Sequence, residues 1–142
     1  MLISDVLQRK GGTVVTVAPT TEVPQLLALL AEHRVGALVV ATDDEPVAGI
    51  ISERDVVRRL HTDGAALLAL TVGDLMTRSV HTATPDDTVD ALAHLMTEQR
   101  VRHVPVVADG ALAGIVSIGD VVKHRIDELT DERDHLEAYI ST

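Results

Sequence analysis

Two Ser-x-x-Asp units, Ser52-Glu53-Arg54-Asp55 and Ser117-Ile118-Gly119-Asp120, each follow a short apolar run and open a stretch of helical spacing. Two chemistries fit such a unit. A Ser at a helix N-cap with an acid three residues later satisfies the first helical amides and needs no ligand. The same hydroxyl, beside exposed amides and the positive end of a helix, also makes an ordinary anion site. Spacing alone leaves both open. Arg102 and His103 are the most informative basic residues, because they stand at the mouth of a strand otherwise made of Val and Pro. They suit a plain surface position, but an Arg is also able to grip a phosphate through two parallel bonds.

Signatures of catalysis are missing. The seven histidines, at 33, 61, 81, 94, 103, 124 and 135, show no His-x-x-x-His or His-Glu-x-x-His spacing, and there is no cysteine. No nucleophile elbow, P-loop or Gly-x-Gly-x-x-Gly occurs either. The expectation is a chain that is not an enzyme and holds no catalytic cofactor or metal.

The elements around these residues are used twice. Thr16-Val17-Ala18-Pro19 recurs as Thr82-Ala83-Thr84-Pro85, and Val23, Leu26 and Leu30 as Val89, Leu92 and Met96. Arg34 falls on Arg100, Gly36-Ala37 on Arg102-His103, and the segment from Gly49 to Arg58 on that from Gly114 to Lys123. The lead-in repeats as well, Asp5-Val6-Leu7 answering Asp74-Leu75-Met76. Such self-similarity marks one supersecondary unit used twice. Within the first copy, residues 14–17 read as a strand, and Thr20-Thr21 as the cap of a helix with apolar positions 23, 26, 27 and 30. Pro24 is tolerable only in that helix's first turn. Residues 37–40 and 47–51 read as two strands, and a helix begins at Ser52. The second copy turns at Asp109-Gly110 and closes with a helix from Ser117 to about residue 128 or beyond. The unit is therefore β-α-β-β-α, an α+β fold. The division expected is 1–64 for the first repeat, 65–125 for the second and 126–142 for a charged C-terminal helix. Val122, Ile126, Leu129, Leu136 and Ile140, interrupted by Arg133, form a heptad-like stripe there. It suits either a helix laid back on its own domain or a self-association face.

Bulk composition narrows the partners. At 142 residues the chain is long enough to bury a core, and with 46% hydrophobic but 1% aromatic residues that core is aliphatic. A net charge of −10 argues against a nucleic-acid surface. Met1-Leu2-Ile3-Ser4-Asp5 meets an acid too early for a secretory signal, and no run approaches the roughly 20 apolar residues of a membrane span. A soluble, cytoplasmic protein without a membrane partner is expected.

The doubled unit, with Gly-Ile-Ile-Ser-Glu-Arg-Asp, Gly-Ile-Val-Ser-Ile-Gly-Asp and Val101-Arg102-His103-Val104-Pro105-Val106 in order, resembles the CBS domain family from about Ser4 to Lys123. The resemblance implies a tandem pair, or Bateman module. In it the two repeats pack about a pseudo-twofold axis, with two clefts that take AMP, ADP, ATP or sometimes NAD or S-adenosylmethionine. It also implies a sensor that acts on an unidentified target protein and pairs into a homodimer. AMP is the foremost ligand. On that resemblance Asp55 and Asp120 receive the ribose hydroxyls and Ser52 and Ser117 serve the phosphate. Thr16, Val17, Ala18, Thr82, Ala83, Thr84, Val104 and Pro105 line the adenine slots. Arg102 and His103 reach the phosphate near the axis, whereas the first copy has only Gly36 and Ala37 there, with Arg54 as a compensating charge. Two unequal clefts are expected, the Asp120 cleft being the better defined. The rival expectation is a ligand-independent dimeric adaptor.

Overall fold

The computed structural model describes residues 1–11 and 14–141. The chain opens with α1 (Ile3–Lys10), then runs β1 (Thr16–Val17), α2 (Val23–His33), β2 (Ala37–Val40), β3 (Gly49–Ser52) and α3 (Glu53–Asp63). A 3₁₀ turn over Gly64–Ala69 leads to α4 (Val72–Leu75), α5 (Val89–Gln99), β4 (His103–Ala108), β5 (Ala111–Ser117) and α6 (Ile118–Ser141). β1 pairs parallel with β2, and β2 antiparallel with β3. In the second repeat β4 and β5 form the antiparallel pair, and the counterpart of β1 contracts to one parallel bridge, Ala83 to Val106. The β-α-β-β-α order read from the sequence is thus present twice, with the first strand of each unit at its minimum length.

The local chemistry explains most boundaries. Asp109 and Gly110 both take positive φ, 52° and 77°, the two-residue geometry that follows the twist of a hairpin. Pro24 sits in the first turn of α2, where its missing N–H removes no helical bond. The cap expected at Thr20-Thr21 is not formed. α2 begins one residue later, after Glu22, whose side chain makes no cap bond. A tertiary contact takes over that role: the Val23 amide donates to the Leu70 carbonyl at 3.0 Å. In the second repeat Thr88 does cap, accepting from the Ala91 amide at 3.1 Å.

Each repeat's hydrophobic core is completed by the lead-in of the other. Ile3 and Val6 of α1 are buried with Val89, Leu92, Met96, Val104, Val106 and Val116 of the second repeat. Val72, Leu75 and Met76, around α4, are buried with Val23, Leu26, Leu38, Val40 and Ile51 of the first. Backbone bonds fasten both exchanges, Ile3 and Ser4 donating to Asp87 and Pro85, and Thr77 exchanging two 2.9 Å bonds with Ile50. The approach is close enough that a Cβ would collide at both matching strand positions. A Cβ on Gly49 would lie 2.7 Å from the Thr77 carbonyl oxygen, and one on Gly114 2.6 Å from Leu7 Cδ2.

α6 is continuous for 24 residues, about 36 Å. Val121 and His124 are buried, but Val122, Ile126, Leu129, Leu136 and Ile140 stay about half exposed or more. The helix therefore packs on its own domain through Val121 and His124, while the stripe itself stays largely uncovered.

Candidate functional site

Strand register carries the candidate residues to corresponding places. Ala37 pairs with Ser52 and His103 with Ser117. The Glu53 amide donates to the Gly36 carbonyl and the Ile118 amide to the Arg102 carbonyl, at 2.9 and 2.8 Å. Gly36-Ala37 and Arg102-His103 are structural counterparts, as the sequence repeat indicates.

Both Ser-x-x-Asp units form helix caps. Asp55 Oδ2 accepts from the Ser52 amide at 2.9 Å and from its hydroxyl at 3.0 Å, while Ser52 Oγ accepts from the Asp55 amide at 3.3 Å. Asp120 Oδ2 accepts from the Ser117 amide at 2.9 Å, and the Asp120 amide donates to Ser117 Oγ at 3.2 Å. Each cap holds its carboxylate at the head of a helix facing the gap between strand and lead-in. The cap and a ligand role are thus geometrically compatible.

The environments of the two carboxylates differ sharply. Beside Asp55 is a cavity of about 540 Å³, within the range of small-molecule sites. Its wall brings together Gly36, Ser52, Arg54 and Asp55 of the first repeat with Arg102 and His103 of the second. It also carries residues that sequence reasoning missed: apolar Ile50, Val57, Val80 and Val101, basic Arg58 and Arg100, and the stretch Thr77, Ser79 and His81. Four arginines around one cavity form a positive pole in a chain of net charge −10. Gly36 matters here for its lack of a side chain, since a Cβ would lie 3.2 Å from Glu53 Oε1 and 3.8 Å from His103 Cε1. The tight neighbour at this bare position is the Glu53 carboxylate, with the second repeat's imidazole at ordinary contact distance.

At Asp120 the corresponding space is filled. Lys10 Nζ, at the end of α1, donates to Asp120 Oδ2 at 2.8 Å and to the Ile115 carbonyl at 2.7 Å. A separate small cavity of about 80 Å³, lined by Val6, Arg9, Lys10, Asp120, Lys123, His124 and Asp127, corresponds to the recess lined by Asp55, Arg58, Arg59, Thr62 and Leu75 in the first repeat. The two carboxylates are therefore met differently, Asp55 by an open cavity whose wall includes Arg102 and His103, and Asp120 by Lys10. The cause is the lead-in. α4 ends at Leu75, so Thr77–His81 leaves as an extended segment that walls the cavity, whereas α1 continues through Lys10 and lays its ammonium on the carboxylate.

Electrostatics follow. Burial works against the Asp120 charge, but the Lys10 ion pair and the Ser117 bonds outweigh it, and its pKa falls below the ordinary carboxylate value. His103 is also lowered, first by burial and then by Lys10, with Asp120 and Glu53 opposing. A lowered imidazole is neutral at physiological pH, so His103 offers the cavity a hydrogen-bonding ring and leaves charge to the arginines.

The residues expected to form adenine slots lie elsewhere. Among the described residues, the cavity wall omits Thr16, Val17, Ala18, Ala37, Thr82, Ala83, Thr84, Val104, Pro105 and Ser117. Val17, Ala37, Ala83 and Val104 are buried, at 4, 3, 6 and 0% exposure, and β2 and β4 bury consecutive residues on both faces. Ile50, Val57, Val80 and Val101 supply the apolar surface instead.

The family model of the CBS domain matches residues 3–62 and 72–127. The chain belongs to the CBS domain family. Among curated relatives, the CBS domain-containing protein CBSX3, mitochondrial, of Arabidopsis thaliana is 38% identical over 97% of this chain and 71% of its own length. A CBS-domain containing protein from Agrobacterium tumefaciens, solved by crystallography, is 45% identical with a TM-score of 0.84, over 88% of this chain and 99% of that one. CBSX2, solved in complex with AMP, is 28% identical with a TM-score of 0.72, over 89% and 97%. A CBS domain pair solved with 5′-methylthioadenosine and S-adenosyl-L-methionine is 25% identical with a TM-score of 0.78, over 90% and 98%. This CBS pair thus has relatives that bind adenosine compounds. No helix among its described residues is long and apolar enough to cross a membrane.

Proposed function

We propose that this CBS pair is a non-catalytic regulatory module that binds one adenosine nucleotide, AMP foremost, in the Asp55 cavity. The observation that carries this reading is the single wall joining Ser52, Arg54 and Asp55 of one repeat to Arg102 and His103 of the other. In it Asp55 accepts from the ribose hydroxyls, while Arg54 and Arg102 hold the phosphate with help from the amides at the start of α3. Ile50, Val57, Val80 and Val101 sandwich the base. A ligand held by both repeats favours one relative arrangement of them, and it signals to a target protein by its differential affinity for the two arrangements. With Lys10 in place the Asp120 cleft takes no second nucleotide. Cytoplasmic residence belongs to the same proposal and is checked by fractionation, the mitochondrial relative naming the rival compartment.

Thermal melting with AMP, ADP, ATP, NAD and S-adenosylmethionine tests it. A ligand at a hundred times its Kd stabilises the native state by about 2.7 kcal/mol, roughly 10 °C for a chain of this size. Arg102→Ala should abolish the shift at unchanged intrinsic Tm, because Arg102 is exposed. If no ligand moves the melt at millimolar concentration, the sensor reading fails. The adaptor reading, in which dimerisation is the whole function, then gains ground from the uncovered stripe on α6.

A further inference from the structure

The apolar residues that α6 leaves in solvent lie in an unbroken heptad register. Val122, Ile126, Leu129, Leu136 and Ile140 are 51, 57, 48, 57 and 81% exposed. With Ile126 and Ile140 at the a positions and Val122, Leu129 and Leu136 at d, Arg133 occupies the a position between them. In parallel coils isoleucine at a with leucine at d favours two strands, a single polar residue at a fixes register and oligomer state, and the e and g charges set orientation. We propose that α6 pairs with α6 of a second copy of this chain, and that the two helices run antiparallel.

The charges choose the direction. In a parallel, in-register pair, Arg133 would meet the partner's Arg133 within one core layer, and Glu132 at g would face the partner's Glu137 at e. Both contacts set like charges against each other, the first out of water. In the antiparallel pair the layers become Val122 with the partner's Ile140, Ile126 with the partner's Leu136, and Leu129 with the partner's Arg133, each occurring twice by symmetry. Arg133 is suited to that place. Its guanidinium is already met on its own helix by Asp134 at 3.1 Å and Glu137 at 3.9 Å, so its aliphatic stem is left to cover the partner's Leu129. Lys123 at e then faces the partner's Glu137, also twice. One like-charge pair persists, Glu132 with its own copy, on the solvent flank where screening is strong. The stripe from Val122 to Ile140 spans about 27 Å, short enough that the contact is concentration-dependent.

The test uses the full chain, whose lack of cysteine gives a clean background. Sedimentation from micromolar to about 0.5 mM should show reversible doubling of the mass. Leu129→Glu, at a half-exposed position outside both buried cores, should keep the parent's Tm and weaken that doubling at least a hundredfold, because the charge enters two layers. Direction is read separately. Thr130→Cys lies at the centre of the antiparallel pair and should link to its own copy through a short bis-maleimide, whereas Arg133→Cys should not form a self-disulfide. A parent that stays monomeric, or a Leu129→Glu chain that associates as the parent does, overturns the interface. Self-disulfide formation by Arg133→Cys without linkage at Thr130→Cys overturns the direction. These readouts need no nucleotide, so they are independent of the sensor reading.

Discussion

Replacing Lys10 by Met tests why the two clefts differ. Lys10 contributes one charge-assisted bond to Asp120 and another to the Ile115 carbonyl. With side-chain exposures of 36% and 21% the ion pair is partly solvated, so its worth is discounted to about 1 kcal/mol, near 3 °C in Tm. The sign with pH is fixed by Asp120, whose folded pKa is lowered. A depressed carboxylate contributes stability above its unfolded pKa, and that contribution fades as pH falls through the folded value. Urea midpoints of parent and Lys10→Met should therefore differ at pH 7 and lie closer together at pH 3. His103 gives a second readout: Lys10 is the second cause of its lowered pKa, after burial, so its NMR titration should move upward in the variant but remain below an exposed histidine. The third readout is stoichiometry. Calorimetry should find one nucleotide per parent chain and a second, weaker site in the variant, where Asp120 is released. Equal losses of stability at both pH values would refute the ion-pair reasoning. One site in both proteins would refute Lys10 as the cause of the asymmetry.

The matched glycines should not be equally sensitive to alanine. At Gly49 the obstacle is the Thr77 backbone oxygen at 2.7 Å, held by two hydrogen bonds to Ile50, so Gly49→Ala should cost about 1–3 kcal/mol by calorimetry. At Gly114 the obstacle is the end of the Leu7 side chain, which can rotate, and Gly114→Ala should cost less. For the helix starts, Thr88→Ala should lose about 1 kcal/mol and Thr20→Ala nothing measurable, because only Thr88 caps.

Much of the architecture was legible because the chain states it twice. The alignment of Gly36-Ala37 with Arg102-His103 needed no coordinates, and the strand register reproduces it. Asp109-Gly110 and Pro24 each fit one backbone geometry and were placed accordingly. The cap of α2 was not legible at Thr20-Thr21, because its work is done by the Leu70 carbonyl, brought in by a chain segment about fifty residues away. The wall of the Asp55 cavity was not legible for a related reason. In a strand with both faces covered, period does not say which side chains turn to the core, and Val17 and Val104 do.

The lead-ins carry the deepest lesson. Asp5-Val6-Leu7 and Asp74-Leu75-Met76 are alike in pattern, so nothing local says that each packs into the other repeat's core. Extending the same alignment three residues sets Lys10 against Ser79, and that difference decides the site. Both positions follow a lead-in that passes beside a strand's glycine-isoleucine pair, Gly49-Ile50 or Gly114-Ile115. At Ile50 the neighbouring chain has left its helix and pairs backbone to backbone through Thr77, which puts Ser79 and His81 on the cavity wall. At Ile115 the neighbouring chain is still helical, and a lysine reaches across to take the strand's carbonyl and the carboxylate together. A short helix leaves an open cleft and a long one supplies its own counter-ion. The different surroundings of Asp55 and Asp120 therefore follow from where α4 and α1 end, at Leu75 and at Lys10.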